Sequence, residues 1–438
     1  MSTLNQSKSK KLATGWIIVI ACMLIQAIPF GVASNIQPMF MAYILDPQSG
    51  YGFTQAQFSL IFTLGTVVSA IASPFIGSMY KKVSVKTMYL AGCILSGGGF
   101  LAFSMCKQLW QFYLVAGIVQ VGTAAISSIG VPLLINGWFD ELSKGKAMGL
   151  AFAGGSIGNV FLQSLTAYSL SHVGISKSYL VFGIFSLVVG IPISILFLRM
   201  PKNDSEIVTG KRKENNKEEN TSDVSIDWGY SLKEVKNLKY FWIFALGLFF
   251  LGMYVSVLAV QYPAYLKNEL NLGNIVGMVG STFALFSLGG NLFGGIIFDK
   301  LGVTKGLMVA FGLAIFACLS LMNAGSFPML AVLFASLKGL SVFAYMMGPS
   351  LLAGSFFGKK EFGAILGIVQ IFFAVGFAAG SSVFGLLVDK LGYSVAWIFV
   401  LAFIVICYVT LITASIGMSK LNKERIAKLK NNQASNVA

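Results

Sequence analysis

Apolar runs of 20 or more residues recur along the whole of this 438-residue chain. Few folds accept that pattern. A hydrocarbon core about 30 Å thick is crossed by a helix of about 20 residues. Inside lipid, every backbone group must be satisfied within the helix or within a closed barrel. A barrel reads as alternating segments of about ten residues, which this sequence does not show. Charged residues make up only 11% of the chain, against about 25% in soluble domains. The expectation is an all-α membrane protein.

Twelve transmembrane helices are predicted, at 15–43, 54–79, 86–106, 109–138, 146–170, 177–199, 239–266, 274–298, 304–324, 328–357, 361–388 and 393–416. The net charge of +15 does not point to nucleic acid, because of where the charge sits. With the N-terminus inside, Lys107, Lys177, Lys267 and Lys390 fall in outer loops and Lys338 in a span; the other lysines and arginines fall in inner loops. That asymmetry predicts a multi-pass protein of the cell membrane with both termini cytoplasmic. The basic N-terminus leads into an uncleaved first span rather than a signal peptide.

The polar stretch Pro201 to Lys239 contains KRKENNKEENTSD, which cannot bury a core. The expected organisation is an N-terminal half at 1–200, a largely disordered linker at 201–238 and a C-terminal half at 239–438. Within the linker, Asp227–Leu238 reads as a short amphipathic helix, and the basic tail after Ser419 is expected to lie against anionic lipid.

Enzyme chemistry finds little support. The five cysteines, Cys22, Cys93, Cys106, Cys318 and Cys407, lie in or at the ends of apolar spans without CxxC spacing. The single histidine, His172, falls in a predicted outer loop and reads as a solvated residue. No Walker motif, catalytic triad or metal-ligand cluster is present in the sequence, so no cofactor and no metal are expected.

The halves repeat. Gly77-Ser-Met-Tyr-Lys-Lys-Val-Ser aligns with Gly295-Ile-Ile-Phe-Asp-Lys-Leu-Gly. At the same offset Phe139 meets Phe357, Gly149 meets Gly367, Gly158 meets Gly376 and Gln120 meets Lys338. Two halves in one orientation form the parallel repeat of one large transporter fold. Gly295-Ile-Ile-Phe-Asp299-Lys300-Leu-Gly302 resembles the loop motif that follows the second span of each half in the major facilitator superfamily. The first copy departs from it, with Lys81 at the aspartate position and Ser84 at a glycine position. The resemblance implies two six-helix halves and a latching role for Asp299, Lys300 and Gly295. A narrower stretch, Gly137-Trp-Phe-Asp-Glu-Leu-Ser-Lys-Gly-Lys-Ala-Met-Gly149 with Gly154-Gly-Ser-Ile-Gly158, is similar to the monocarboxylate and oxalate/formate antiporter branch. That resemblance implies a carrier of small carboxylates. The branch's charged pair in the eighth span is missing here, Gln26 stands in the first span, and Gln370 stands where an oxalate carrier has a lysine.

Lys338 then becomes the residue of interest. A helix entering near Pro328 reaches it after about 15 Å, near mid-membrane. A lysine there costs roughly 2.5–3.5 kcal/mol and usually faces a cavity or a partner. The sequence places all 16 acidic residues in loops or at span ends. The bland reading is a lysine satisfied by carbonyls and water near a helix break at Gly339; the functional one is an ion pair with an anionic substrate. Lys338, Ser341 and Tyr345 are expected on one helical face, and Gln26, Phe30, Ala33 and Gln37 on one side of the first span. Spans 1, 4, 7 and 10 line the cavity in the family resembled, so Gln26, Gln120, Tyr254 and Tyr345 join Lys338 as candidate substrate residues, and the comparison with oxalate carriers adds Gln370 of the eleventh span. Ser156, Asn159, Gln163 and Thr166 read equally as cavity lining or interhelical glue.

The expected function is secondary transport of a small organic anion by alternating access, as an exchanger or a proton symporter, in a monomer whose partners are that substrate and membrane lipid. The alternatives are efflux of amphipathic or lipophilic compounds, and a non-transporting membrane sensor.

Overall fold

The computed structural model describes residues 2–140, 143–203, 206–208, 228–358 and 360–437, with the side chains of 2–13, 144, 295, 299 and 428–437 excepted. Helices follow the expected spans. They are α1 (Thr14–Ile44), α2 (Gln55–Met79), α3 (Val85–Phe103), α4 (Leu109–Trp138), α5 (Lys144–His172), α6 (Ile175–Leu196), α7 (Lys239–Glu269), α8 (Gly273–Phe298), α9 (Lys300–Met322) and α10 (Met329–Phe357). The segment Phe362–Ala427 bends at Gly392 into α11 (362–391) and α12 (393–427). Among the described residues, ten segments are long and apolar enough to cross a membrane, the α11–α12 segment counting as one.

Local chemistry sets the junctions. Thr54 and Gln57 form a capping box that starts α2. Gly302 and Gly392 end the Gly-x-x-x-Asp-Lys-x-Gly stretches at 295–302 and 385–392 with φ of 77° and 80°, a left-handed backbone that a Cβ would strain. Ser84 holds the matching place after α2 at φ −61° and caps α3 with its hydroxyl instead. The loss of the family's glycine there is therefore a change of junction, from a left-handed turn to a side-chain cap.

Packing divides the chain into two compact units. The first comprises Met1–Lys213 and Gln261–Leu288, so it takes in α1–α6 with the second part of α7 and the first part of α8. Its core includes Cys22, Ile25, Tyr89, Ile126, Leu134 and Trp138. The second comprises Glu214–Val260 and Gly289–Ala438, where α7 packs chiefly against the α11–α12 segment. Phe244, Leu251, Trp397 and Ile404 are fully buried there.

Each unit contains a helix crossing too close for side chains at paired glycines. In the first, a Cβ on Gly154 or Gly158 of α5 would overlap the carbonyls of Met23 and Ala27 on α1. In the second, a Cβ on Gly376 or Gly380 of α11 would overlap those of Phe249 and Met253 on α7. Small residues four apart allow this approach, and dispersion between the backbones replaces the hydrophobic drive that lipid does not supply.

The ends of the linker are ordered by backbone pairing. Val208 bridges Phe139, donating to the Trp138 carbonyl at 2.8 Å, and Arg199 pairs with Glu206 at 2.8 Å. Gly229 bridges Gly358, and the Tyr230 amide donates to the Phe357 carbonyl at 2.9 Å. The expected helix over Asp227–Leu238 is shorter, Leu232–Lys236, because Ser231 and Glu234 form its capping box. The stretch 209–227, expected to be disordered, lies outside the described residues. His172 ends α5, exposed and stacked on Tyr168 at 4.2 Å.

Candidate functional site

Among the described residues, four helices depart from α geometry within their spans, and they carry all the candidate substrate residues except Gln370. α1 is π-helical over Gln26–Asn35 with Pro29 inside. α4 is π-helical over Ala124–Ile129, ahead of Pro132. α7 breaks at Gln261, beside Pro263, and is π-helical over Tyr265–Glu269. α10 is interrupted at Ser341–Val342 and again at Met347, ahead of Pro349. Proline removes a donor and crowds the carbonyl four residues back. It is not sufficient alone, since α2 and α6 stay α-helical through Pro74 and Pro192. Such bulges cluster at functional sites.

In the first unit the bulges of α1 and α4 are joined by side chains. Wide turns leave carbonyls displaced from their usual amide donors, and Tyr80 Oη donates to that of Ala125 at 2.8 Å. Gln26, 1% exposed, donates Nε2 to the Ile126 carbonyl at 3.4 Å and accepts at Oε1 from Ser127 Oγ at 3.0 Å. Gln120 accepts from Thr123 Oγ1 at 3.1 Å and lies against Gly65. It lines a cavity of about 30 Å³ with Ala33, Ser34 and Gln37, room for a water or two. Gln37 turns to α6 and donates to Tyr179 Oη at 3.0 Å. The expected single face of Gln26 and Gln37 is thus broken by the π segment between them, which shifts the helical phase.

The far end of the same unit holds a second polar cluster. Gln55 Nε2 donates to Gln261 Oε1, and Gln261 Nε2 donates to Ser59 Oγ at 2.9 Å. Gln163 Nε2 donates to the Asn35 carbonyl and to Asn159 Oδ1, each at 2.9 Å, and Tyr262 Oη donates to Gln163 Oε1 at 3.5 Å. Gln163 therefore ties α5 to α1 and α7, while Asn159 bonds to it within α5. Gln55 and Ser59 are missing from the sequence candidates; as polar residues one turn apart at the start of α2, they carry a helix-face signal. Lys267 forms an ion pair with Asp46 and lies 4.5 Å from the centre of the Tyr43 ring.

In the second unit Lys338 is 4% exposed. Its Nζ donates to the Leu258 carbonyl at 2.7 Å and lies 5.7 Å from the Phe334 ring centre. Leu258 sits in the last turn before the break, next to Ala259, whose carbonyl Pro263 leaves without its helical donor. The turn beyond Lys338 is also irregular, with Ser341 Oγ donating to the Lys338 carbonyl at 2.8 Å. Gly290 of α8 packs on the carbonyls of Gly339 and Leu340, and Gly294 on Phe343. The helix is interrupted at Ser341–Val342, between Lys338 and Tyr345. Tyr345 is half-buried. Tyr254 shares a 3.0 Å hydrogen bond with Tyr408 of α12. Gln370 and Lys300 are exposed. The side chain of Asp299 and the position of Gly295 lie outside the residues described at side-chain level.

Together, the arrangement provides a buried cation on a carbonyl acceptor, and polar bridges at helix bulges. Both suit reversible exchange of partners. The family model of the Major Facilitator Superfamily matches residues 17–322 and 244–434. An MFS-type transporter, pynF, of Aspergillus niger is 23% identical over 85% of this chain and 81% of its own length. Monocarboxylate transporter 3 of Rattus norvegicus is 26% identical over 35% of this chain and 29% of its own. The inward-facing, unoccupied structure of a bacterial homologue of the human lysosomal transporter Spinster superposes with a TM-score of 0.69 at 13% identity, covering 93% of this chain and 98% of that one. The chain belongs to the Major Facilitator Superfamily.

Proposed function

We propose that this transporter moves a small organic carboxylate across the cell membrane by alternating access, with Lys338 binding the carboxylate. What supports the reading is the Lys338–Leu258 contact. A backbone carbonyl carries no net charge, whereas a carboxylate offers the ammonium the Coulomb attraction of an opposite charge as well as a hydrogen bond. An arriving anion thus displaces the carbonyl and neutralises the buried cation. Tyr345, on the irregular stretch of α10, is the first candidate for a further hydrogen bond. Gln26, Gln120, Tyr254 and Gln370 follow, the glutamines at 26 and 120 and the tyrosine after exchanging their present partners. Asp299, Lys300 and Gly295 form the inner latch. Obligate exchange follows if the empty, charged site opposes closure; proton symport is the other mode. Kinship with a relative named a monocarboxylate transporter is consistent with the substrate class.

Counterflow of labelled monocarboxylates in proteoliposomes tests this. The expected result is exchange that is lost in Lys338→Gln. Exchange retained in that variant overturns the role of Lys338. Flux of amphipathic compounds without carboxylate exchange points to efflux, and absence of any flux points to a sensor.

A further inference from the structure

We infer that a groove where the start of α7 meets the end of α12 holds the phosphate headgroup of an anionic phospholipid. The groove measures about 500 Å³ and is lined by Asn237, Lys239, Tyr240, Gly417, Lys420 and Glu424. Gly417 has no side chain to keep the Tyr240 ring off α12, and a Cβ there would overlap the ring. The ring forms the floor, and Lys239 Nζ lies 5.1 Å from its centre. Lys239 and Lys420 are both exposed and stand on the two walls.

Charge favours an anion here. Lys233 and Lys236 are exposed on the short helix ahead of α7, and Lys423 is exposed on α12. Of the nearby carboxylates, Glu234 pairs with Arg425 at 3.1 Å and Glu361 accepts from the Leu232 amide at 2.8 Å, while Glu424 lines the groove. The level is that of a headgroup. Trp242 lies one turn into α7, is 54% exposed and donates Nε1 to the Lys236 carbonyl at 3.0 Å, the amphipathic placement of an interfacial tryptophan. Beyond the lysines the two helices expose Trp242, Leu246 and Ile416. That apolar stripe suits acyl chains, and a free phosphate ion would have no use for it.

Thermal unfolding of the full-length purified protein, with phosphatidylglycerol, phosphatidylcholine or inorganic phosphate added, tests the assignment. Phosphatidylglycerol is expected to raise Tm by several degrees, and the other two are not. Combined Lys239→Gln and Lys420→Gln is expected to remove at least half of that shift. Combined Lys81→Gln and Lys82→Gln, on exposed lysines after α2, leaves it intact. If the first pair unfolds the protein, Lys239→Arg with Lys420→Arg keeps the charge and is expected to keep the shift. A shift unchanged in the glutamine pair, lost in the arginine pair, or matched by inorganic phosphate overturns the site.

Discussion

Gly376 of α11 lies against the backbone of Phe249 on α7, so close that a Cβ would overlap the Phe249 carbonyl oxygen. Gly158 of α5 stands in the same relation to Ala27 on α1. Gly149 and Gly367 also align with each other in the repeat, yet a Cβ on either meets nothing within 4 Å. The motif glycines therefore differ in what they do. Gly158→Ala and Gly376→Ala force helices apart, and overpacking of this kind costs about 1–3 kcal/mol or more. Both are expected to lower Tm sharply and reduce monodispersity in detergent. Gly149→Ala and Gly367→Ala are expected to be neutral or slightly stabilising, since alanine is the better helix former. Equal behaviour of the two pairs would contradict the packing argument.

Lys338→Met separates stability from transport. Replacing buried charge by apolar volume is often neutral or stabilising, while the Leu258 carbonyl loses a donor, at about 1–3 kcal/mol. The two effects oppose each other, so Tm is expected to move by only a few degrees. Carboxylate exchange is expected to vanish. Lys338→Arg is not expected to restore it, because a planar guanidinium does not fit where a compact ammonium is enclosed by Phe334 and the Leu258 turn. A large loss of Tm in Lys338→Met would assign the lysine to folding instead.

Sequence reading reaches the spans and the repeat because both are carried by long apolar runs and by glycines at a fixed offset. It places Lys338 inside a helix for the same reason. It does not reach the bulges. A ten-residue π segment separates Gln26, which bonds to α4, from Gln37, which bonds to Tyr179 of α6, and an interruption at Ser341–Val342 stands between Lys338 and Tyr345. Periodicity assumes about 3.6 residues per turn throughout, so it fails after every irregular turn. Prolines mark these places only ambiguously, as the unbroken helices around Pro74 and Pro192 show. The ordered ends of the linker escape composition for a different reason. Its composition cannot build a core, but Val208 and Tyr230 need only backbone partners, which Trp138 and Phe357 supply at the ends of α4 and α10.

The Gln26–Ser127 bond joins two bulged helices within the first unit. Interhelical hydrogen bonds of this kind couple by about 0.6 kcal/mol on average and at most about 1.7. A double-mutant cycle of Gln26→Ala and Ser127→Ala, read by unfolding free energy, is expected to give a coupling within that range. Gln26→Ala also removes the donor to the Ile126 carbonyl, so it should cost more than Ser127→Ala. No coupling, or the reverse order, would show that the bond does not hold the bulges together.

The Asp46–Lys267 ion pair has a defined pH signature. The hydrogen bond from Lys267 holds the Asp46 carboxyl below its ordinary value of 3.8, helped by the Gln48 amide and opposed by partial burial. A carboxylate depressed in the folded state contributes its stability fully above its ordinary value and loses it as pH falls through the lower, folded one. Side-chain exposures of 15% for Lys267 and 28% for Asp46 keep the pair near the surface regime, where such pairs contribute up to about 1 kcal/mol. Asp46→Asn is expected to lower unfolding free energy by up to that amount at pH 7, with the same difference at pH 5. Below about pH 4 the difference should shrink as the wild-type carboxyl takes up its proton. High salt should reduce the difference at pH 7 as well, because the charges are only partly shielded from solvent. A difference between Asp46→Asn and wild type that stays constant down to pH 2 would mean that Asp46 acts through its cap on Gln48, which asparagine also provides less well, and not through Lys267.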